Sequence, residues 1–313
     1  MQLQEINQLD LFSGIGGFHL GFERAGYKVN SYFSEVDKHA VAVYKNQFKD
    51  STYVGSVTDV RGEDLPRIDL ITFGSPCQDF SLAGKRKGME GERSSLITEA
   101  IRLVHECRPR VFIWENVKGT FSSNDGADFW AIIQAFANIG GYRCEWQLCN
   151  TSWFLPQNRE RIYLVGYSTT PRGDWGGVFP LGEGTGKNIG LQRHNPRANT
   201  ITTRYACNAN GSFIGECKQP TQEVKGGNCP TIPARAREDG SGQPVIENNY
   251  RIRRLTPIEC ERLQGFPDNH TQYGNYDGEV KKMSNTQRYK QCGNAVTVDV
   301  VQAIANKLHP LFE

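Results

Sequence analysis

Asp10-Leu11-Phe12-Ser13-Gly14-Ile15-Gly16-Gly17 is the stretch on which the reading of this chain turns. An apolar strand over Gln8–Phe12 runs into a glycine-rich turn, and a helical pattern follows over His19–Ala25. Such a turn lets backbone come close to a ligand, and the helix N-terminus favours negative charge. The spacing is not the G-x-G-x-x-G of dinucleotide folds, and tight strand–helix turns use glycine for purely structural reasons too. Glu35 follows about 20 residues on, where an acid binds ribose hydroxyls in nucleotide folds; a solvated carboxylate is the plain alternative.

Outward from this turn the same alternation repeats. Apolar strands are expected at Ile68–Phe73, Val111–Trp114 and Arg161–Tyr167, with helices at Ala40–Phe48, Ser95–His105 and Phe129–Ile139. Strand–helix alternation predicts an α/β fold with a mostly parallel sheet covered on both faces. From about Ser168 to Tyr250 the chain becomes rich in Gly, Asn, Pro, Thr and Arg, which reads as a loop-rich β region. Two similar pieces sit there, Asn199–Arg204 and Cys229–Arg235; a pair of β-turn–strand units explains them as well as a functional repeat does. Helical pattern returns at Thr256-Pro257-Ile258-Glu259, an N-cap, a first-turn proline and an acid, running to about Leu263 before Gly265 and Pro267. A last helix near Val298–Leu308 is expected to pack back on the first domain.

Composition sets limits. The 313 residues suffice for one large domain or one large and one small, and 38% hydrophobic residues can bury a core. A net charge of +2 gives no general basic surface, so any nucleic-acid contact must come from local patches. Nine cysteines without a C-x-x-C pair suit a reducing compartment and fit no common zinc spacing, so no metal is expected. The first ten residues are polar and no run of 18 apolar residues occurs; a cytoplasmic protein without a membrane span is expected.

Three further stretches bear chemistry. In Gly74-Ser75-Pro76-Cys77-Gln78 a cysteine stands just past a strand, at the carboxyl end where open α/β sheets bind ligands. A thiol at such an exposed turn is unusual unless its thiolate is used. In Trp114-Glu115-Asn116-Val117 an acid ends an apolar strand, where burial is costly without a partner. Gln157-Asn158-Arg159-Glu160-Arg161 opens another strand, and the two arginines, two apart, share a face if extended. That face suits Glu115 or a phosphate; a surface charge pair is the plain reading.

Together, in order, these stretches resemble the DNA cytosine C5-methyltransferase family of bacterial or phage type. Asp10–Gly17, Gly74–Gln78, Trp114–Val117, Gln157–Tyr163, Arg254–Asp268 and Gly293–Val300 carry the resemblance over nearly the whole length. It implies a Rossmann-like S-adenosylmethionine-dependent methyltransferase sheet over residues 1–168 and 285–313. A smaller, loop-rich β target-recognition domain would span 169–284. It implies methyl transfer from S-adenosylmethionine to C5 of a flipped-out cytosine in duplex DNA, leaving S-adenosylhomocysteine. Cys77 would attack C6, Glu115 would hold N3 and the exocyclic amine, and Arg161 would contact O2 with Arg159 in support. Phe12, Ser13, Gly14, Ile15, Gly16, Gly17, Glu35, Val36, Ser56, Val57, Pro76, Leu96, Asn294, Ala295 and Val296 would surround the donor, with Phe12 on adenine and Asn294 at the amino-acid end. The segment Asp79–Ser94 suits a lid, and Gln78, Ser81, Lys85, Arg86, Lys87 and Arg93 would meet DNA. Arg204, Thr231 and Arg235 are the expected base-proximal residues of the variable region. Double-stranded DNA is the implied partner of a monomer that needs no stable protein partner, with a genetic link to a restriction endonuclease fitting the family.

Two departures stand out. Gly55-Ser56-Val57 replaces the family's frequent Gly-Asp-Ile, putting a hydroxyl where a carboxylate is expected near the adenine amine, with Asp59 three residues on. Val36 stands where some members carry an aromatic residue. A transfer RNA methyltransferase shares most of these motifs, and a catalytically silent DNA-binding homologue is the rival from another class. The variable region favours a DNA reader, and the intact Cys77, Glu115 and Arg161 favour catalysis.

Overall fold

A computed structural model of the chain describes residues 3–75, 96–121, 127–168, 175–182, 200–202, 229–230, 244–248 and 251–313. In chain order the elements are β1 (Gln4–Leu11), α1 (Gly17–Arg24), β2 (Tyr27–Ser34), α2 (Lys38–Gln47), β3 (Thr52–Tyr53), β4 (Leu70–Gly74), α3 (Leu96–Cys107) and β5 (Val111–Val117). Next come α4 (Ala127–Asn138), β6 (Arg143–Asn150), β7 (Gln157–Asn158), β8 (Glu160–Tyr167), β9 (Thr200–Thr202), β10 (Cys229–Pro230), β11 (Pro244–Asn248) and β12 (Arg251–Arg254). The chain closes with α5 (Pro257–Leu263), β13 (Tyr273–Tyr276), β14 (Glu279–Lys282), α6 (Asn285–Asn294) and α7 (Val298–Phe312).

Seven strands form one sheet in the order β3-β2-β1-β4-β5-β8-β6. The first five run parallel, while β8 runs antiparallel to both its neighbours. Side chains alternate across the pleat, so β5 feeds two cores. Val111 and Ile113 face α1 and α7, among Phe18, Phe22, Val301, Ile304 and Leu308. Phe112 and Trp114 face α3 and α4, among Leu103, Val104, Phe129, Ile132 and Phe136. Burial on both faces explains why β5 reads as a continuous apolar run.

Two strands of this sheet carry no such run. β2, with the sequence YKVNSYFS, and β6, with RCEWQLCN, lie towards the two ends of the sheet and are only partly buried. Their mixed composition follows from that position, and neither is among the strands the sequence predicts. The predicted single strand from Gln157 is broken at Arg159 into β7 and β8. β7 pairs in parallel with β10, a strand from the variable stretch.

Helix α5 starts as its sequence predicts. The Thr256 hydroxyl accepts from the Glu259 amide, the Glu259 carboxylate accepts from the Thr256 amide, and Pro257 occupies the first turn. After it the chain packs beside the glycine-rich turn and α2. Phe266 and Met283 bury beside Ile15, Ala40, Val43, Ala295 and Val298. Gln47 Nε2 donates to the His270 carbonyl at 2.6 Å, and His39 Nδ1 lies 2.6 Å from the Tyr276 hydroxyl. Beneath α5 and α6 the fully buried Glu261 carboxylate accepts from Arg288 Nη2 at 2.9 Å and from the Thr271 amide at 2.8 Å. A buried charge of this kind persists only with such partners. No described helix is long and apolar enough to cross a membrane.

Candidate active site

The carboxyl ends of the parallel strands open onto a cavity of about 440 Å³, within the range of small-ligand sites. Three walls enclose it. One is the tips of β1, β2 and the segment after β3, with Phe12, Gly14, Ile15, Ser34, Glu35, Val36, Asp37, Ser56 and Val57, together with Leu96. The second is β4, β5 and the start of β8, with Gly74, Ser75, Glu115, Asn116, Val117, Arg159 and Arg161. The third is the end of α6, with Lys290, Gln291, Gly293 and Asn294.

The first wall is built around a strained turn. Phe12 has φ of 52°, a left-handed backbone rare for a bulky residue. Gly14 has φ of 54°, and a Cβ there would meet nothing within 4 Å, so the backbone presents a bare edge to the cavity. Glu35 closes the turn: one carboxylate oxygen accepts from the Gly14 amide at 2.9 Å, the other from the amides of Val36 at 2.8 Å and Asp37 at 2.9 Å. Ser56 Oγ lies 2.9 Å from Thr58 Oγ1, which donates to Asp59 Oδ1 at 3.2 Å, so a carboxylate is linked to Ser56 through one hydroxyl. Beneath this wall Thr72 Oγ1 donates to the buried Asp10 at 2.7 Å, and burial pushes the Asp10 carboxyl well above the usual range.

Other residues of the predicted donor set take different places. A Cβ on Gly16 would lie 2.3 Å from the Phe48 ring, and one on Gly17 2.6 Å from Val296 Cγ2. Gly16, Gly17, Val296, Ser13 and Ala295 do not line the cavity. Val36 lines it but is 77% exposed.

At the second wall the pleat brings charges together. Glu115, Arg159 and Arg161 all point to the face that carries Ile113 and Tyr163. Arg161 Nε lies 3.2 Å from Glu115 Oε1. The contact is an ion pair without an aligned hydrogen bond, so that oxygen stays a free acceptor in the wall. A Cβ on Gly74 would sit 3.2 Å from Glu115 Oε2, so the missing side chain makes room for the carboxylate. Arg159 is buried and donates to the carbonyls of Gly293 at 3.3 Å and Ala295 at 2.8 Å, tying β8 to the turn after α6. Burial, with the nearby Arg161 charge, pushes its guanidinium down to about 10.

Ser75 is fixed from the neighbouring strand. Trp114 Nε1 donates to Ser75 Oγ at 3.1 Å, and Asn116 Nδ2 donates to the Ser75 carbonyl at 3.1 Å. Cys77 is two residues further along. Cys77, Pro76, Gln78, Ser81, Lys85, Arg86, Lys87, Arg93, Arg204, Thr231 and Arg235 lie outside the described residues.

Asp37, Asn116, Lys290 and Gln291 line the cavity although the sequence reading gives them no role. Lys290 and Gln291 lie four and three residues before Asn294, which is the same-face spacing of a helix, so that signal was present. The Asp37 contribution, which caps α2 and accepts from Lys290 Nζ at 2.6 Å, has no sequence signal. Lys290 holds the Asp37 carboxyl below its usual range against the opposing effect of burial. Among the described residues no group of three or more His, Cys, Asp or Glu is placed to hold a metal ion.

A mostly parallel sheet with one antiparallel strand, and a cavity across its carboxyl ends, make up the S-adenosylmethionine-dependent methyltransferase fold. The Dnmt2 methyltransferase of S. pombe shares this fold, with a TM-score of 0.69 at 19% identity over 98% of this chain and 99% of that one. The model of the C-5 cytosine-specific DNA methylase family matches residues 6–309. The Type II methyltransferase M.Bsp6I of Bacillus sp. (strain RFL6) is 31% identical, covering 96% of this chain and 97% of its own. M1.ScrFI of Lactococcus lactis subsp. cremoris is 35% identical, covering 97% and 78%. The chain belongs to the C-5 cytosine-specific DNA methylase family and is a DNA (cytosine-5-)-methyltransferase. Family and fold imply S-adenosylmethionine as donor and DNA as substrate.

Proposed function

We propose that this enzyme methylates C5 of a cytosine flipped out of a specific duplex DNA sequence, as the modification partner of a restriction system. Its relatives M.Bsp6I and M1.ScrFI are named as Type II methyltransferases. The observation that carries the reading is the Glu115–Arg161 pair over Gly74, three residues before Cys77, at the inner wall of the cavity.

The donor fits the first wall. The acceptor carboxylate of Glu35 suits ribose hydroxyls, and half-buried Phe12, with Val57 and Leu96, suits a flat purine. The Ser56–Thr58–Asp59 chain is a route by which polarity reaches the adenine amine without the family's usual aspartate. S-adenosylmethionine supplies an electrophilic methyl group on a sulfonium.

The protein's own work is on the base. C6 is unreachable in a stacked duplex, so the cytosine must leave the helix, at a cost of a few kcal/mol. Asp79–Ser94 is the proposed lid, with Gln78, Ser81, Lys85, Arg86, Lys87 and Arg93 towards DNA. The Cys77 thiolate adds to C6. Glu115 meets N3 and the exocyclic amine and passes a proton to N3 as the C6–S bond forms, so the charge of the adding thiolate ends on its carboxylate, while Arg161 orients that carboxylate and contacts O2. Arg159 acts as a positioning residue through Gly293 and Ala295. The ring so formed is an enamine whose C5 is nucleophilic. C5 takes the methyl group as S-adenosylhomocysteine leaves; loss of the C5 proton to a base and return of the N3 proton to Glu115 then expel the Cys77 thiolate and restore aromaticity.

We assign base reading to 169–284, with Arg204, Thr231 and Arg235 foremost. Within that span, residues 255–283 are engaged in packing on α2, α6 and β1's turn, which directs base reading to the part before Leu255. The test has two stages. Bisulfite sequencing of DNA from an expressing host should show 5-methylcytosine at one recurring sequence. Duplex carrying 5-fluorocytosine at that site should then form a covalent adduct with the native enzyme in the presence of donor and none with Cys77→Ser. Methyl incorporation into transfer RNA alone, or an adduct that survives Cys77→Ser, would overturn the proposal.

A further inference from the structure

Asn150, the last residue of β6, does not line the cavity, yet its carboxamide holds three other residues. Its oxygen accepts from the Ser152 amide at 3.0 Å and from the Arg159 amide at 3.3 Å. Its nitrogen donates to Asn158 Oδ1 at 2.8 Å. Thr151, next in the chain, donates its amide to the Arg159 carbonyl at 2.9 Å. Arg159 is buried and stands between β7 and β8, in neither strand. Buried peptide groups need partners, and here Asn150 and Thr151 supply them for both the amide and the carbonyl of Arg159. The bond to Ser152 alone would cap the turn Thr151–Trp153. The bonds to Asn158 and Arg159 add nothing to that turn; they join the end of β6 to the last residue of β7 and the residue before β8.

This junction decides where two arginines go. β7 follows β10, while β8 follows β5 and β6. Arg159 is the single residue between those pairings. Its guanidinium runs to the carbonyls of Gly293 and Ala295, and Arg161, two residues on, lies 3.2 Å from Glu115. Side chains alternate along a strand, so a slip of one residue at the break would turn Arg161 to the face away from Glu115. We infer that Asn150 is a positioning residue for the methyl transfer: it fixes the Arg159 peptide, and through it the approach of Arg161 to Glu115. The inference rests on the proposal that Glu115 and Arg161 meet the flipped cytosine.

The test is the single-turnover rate of covalent adduct formation by the full chain on duplex carrying 5-fluorocytosine, with donor present. Asn150→Ser keeps a good cap for the turn, so the fold is retained. Its hydroxyl is one atom shorter and draws away from the Arg159 amide. The variant should form adduct about ten- to a hundredfold more slowly, the scale of a buried donor left unpaired. Asn150→Asp keeps the accepting oxygen and should stay within about threefold of the native rate by the same reasoning. S-adenosylhomocysteine affinity, by calorimetry, should change less than about threefold in both. In a Glu115→Gln background Asn150→Ser should slow the adduct by less than about threefold, because the two substitutions then act on one interaction; a merely structural asparagine would slow both backgrounds alike. Equal slowing in both backgrounds, no slowing by Asn150→Ser, no recovery with Asn150→Asp, or a matching loss of S-adenosylhomocysteine affinity would overturn the inference while leaving the catalytic assignments in place. A native enzyme that forms no adduct would remove those assignments, and this inference with them.

Discussion

Gly17→Ala separates packing from ligand contact at the glycine-rich turn. The new Cβ would sit 2.6 Å from Val296 Cγ2, 3.3 Å from Phe266 Cζ and 3.3 Å from the Val296 carbonyl oxygen. Apolar carbons rest at about 3.5–4.0 Å, so Val296 must retreat by about 1 Å. Overpacking of this kind costs about 1–3 kcal/mol. The helix gain of alanine over glycine offsets at most about 1 kcal/mol of that. At about 2.1 cal/mol/K per residue, the 313 residues give an unfolding entropy near 0.66 kcal/mol/K. A net loss of about 1–2 kcal/mol therefore lowers the midpoint by about 1.5–3 °C. The measurement is a double-mutant cycle by thermal unfolding with Val296→Ala, which trims the clashing methyl group. The coupling should favour the double variant by about 1 kcal/mol. Independent effects, or a Gly17→Ala chain as stable as the parent, would refute the packing argument.

Glu115→Gln should slow turnover by about 10²–10⁴-fold, the range for a positioned acid, with S-adenosylhomocysteine affinity nearly unchanged; a variant retaining full turnover would remove Glu115 from the chemistry. Burial raises the Cys107 and Cys144 thiols to about 11 and Cys149 to about 12. Alkylation at pH 8 followed by mass mapping should accordingly label these three at least about a hundredfold more slowly than a free thiol of ordinary pKa, near 8.5, and fast labelling at any of them would contradict its burial. Burial lowers His270 to about 4, where its Nε2 faces the Ile15 carbonyl at 2.9 Å. The unfolded chain then binds a proton that the folded chain refuses between about pH 6.5 and 4, so stability falls as pH falls through that window. From pH 6.5 to 5 the loss is about 2 kcal/mol, and denaturant titration of His270→Gln should show a correspondingly shallower decline.

Sequence and structure agree where side-chain pattern reflects burial. β4, β5 and β8 are buried on both faces and read as apolar runs; the capping residues of α5 name its start. β2 and β6 were illegible because strands near the ends of a sheet need no continuous apolar face. In the site, Glu115 stood out as an acid inside an apolar strand, and its arginine partner followed from two-residue alternation. The break at Arg159 did not, since it depends on carbonyls 134 and 136 residues away. The glycines were ambiguous in principle: a residue without a side chain looks the same whether it yields space to a ligand, as Gly14 does to the cavity, or to Val296. Asp37 and Lys290 meet only through tertiary folding, across 253 residues.

The pairing of α7 with the start of the chain has a bearing on how the enzyme comes into being. The Tyr27 hydroxyl donates to the Ala305 carbonyl, and His309 stacks on the Tyr27 ring. α1 ends at Arg24 and α7 begins at Val298. At about 5–20 residues per second, a ribosome needs roughly 15–55 s to make the intervening stretch. For that interval Phe18, Phe22 and the adjoining sheet face have no cover from α7, and α6, which supplies the cavity's third wall, is equally late. The nascent chain must therefore shield that apolar face, by transient collapse or by a chaperone. No methyl transfer can begin until the last helices arrive.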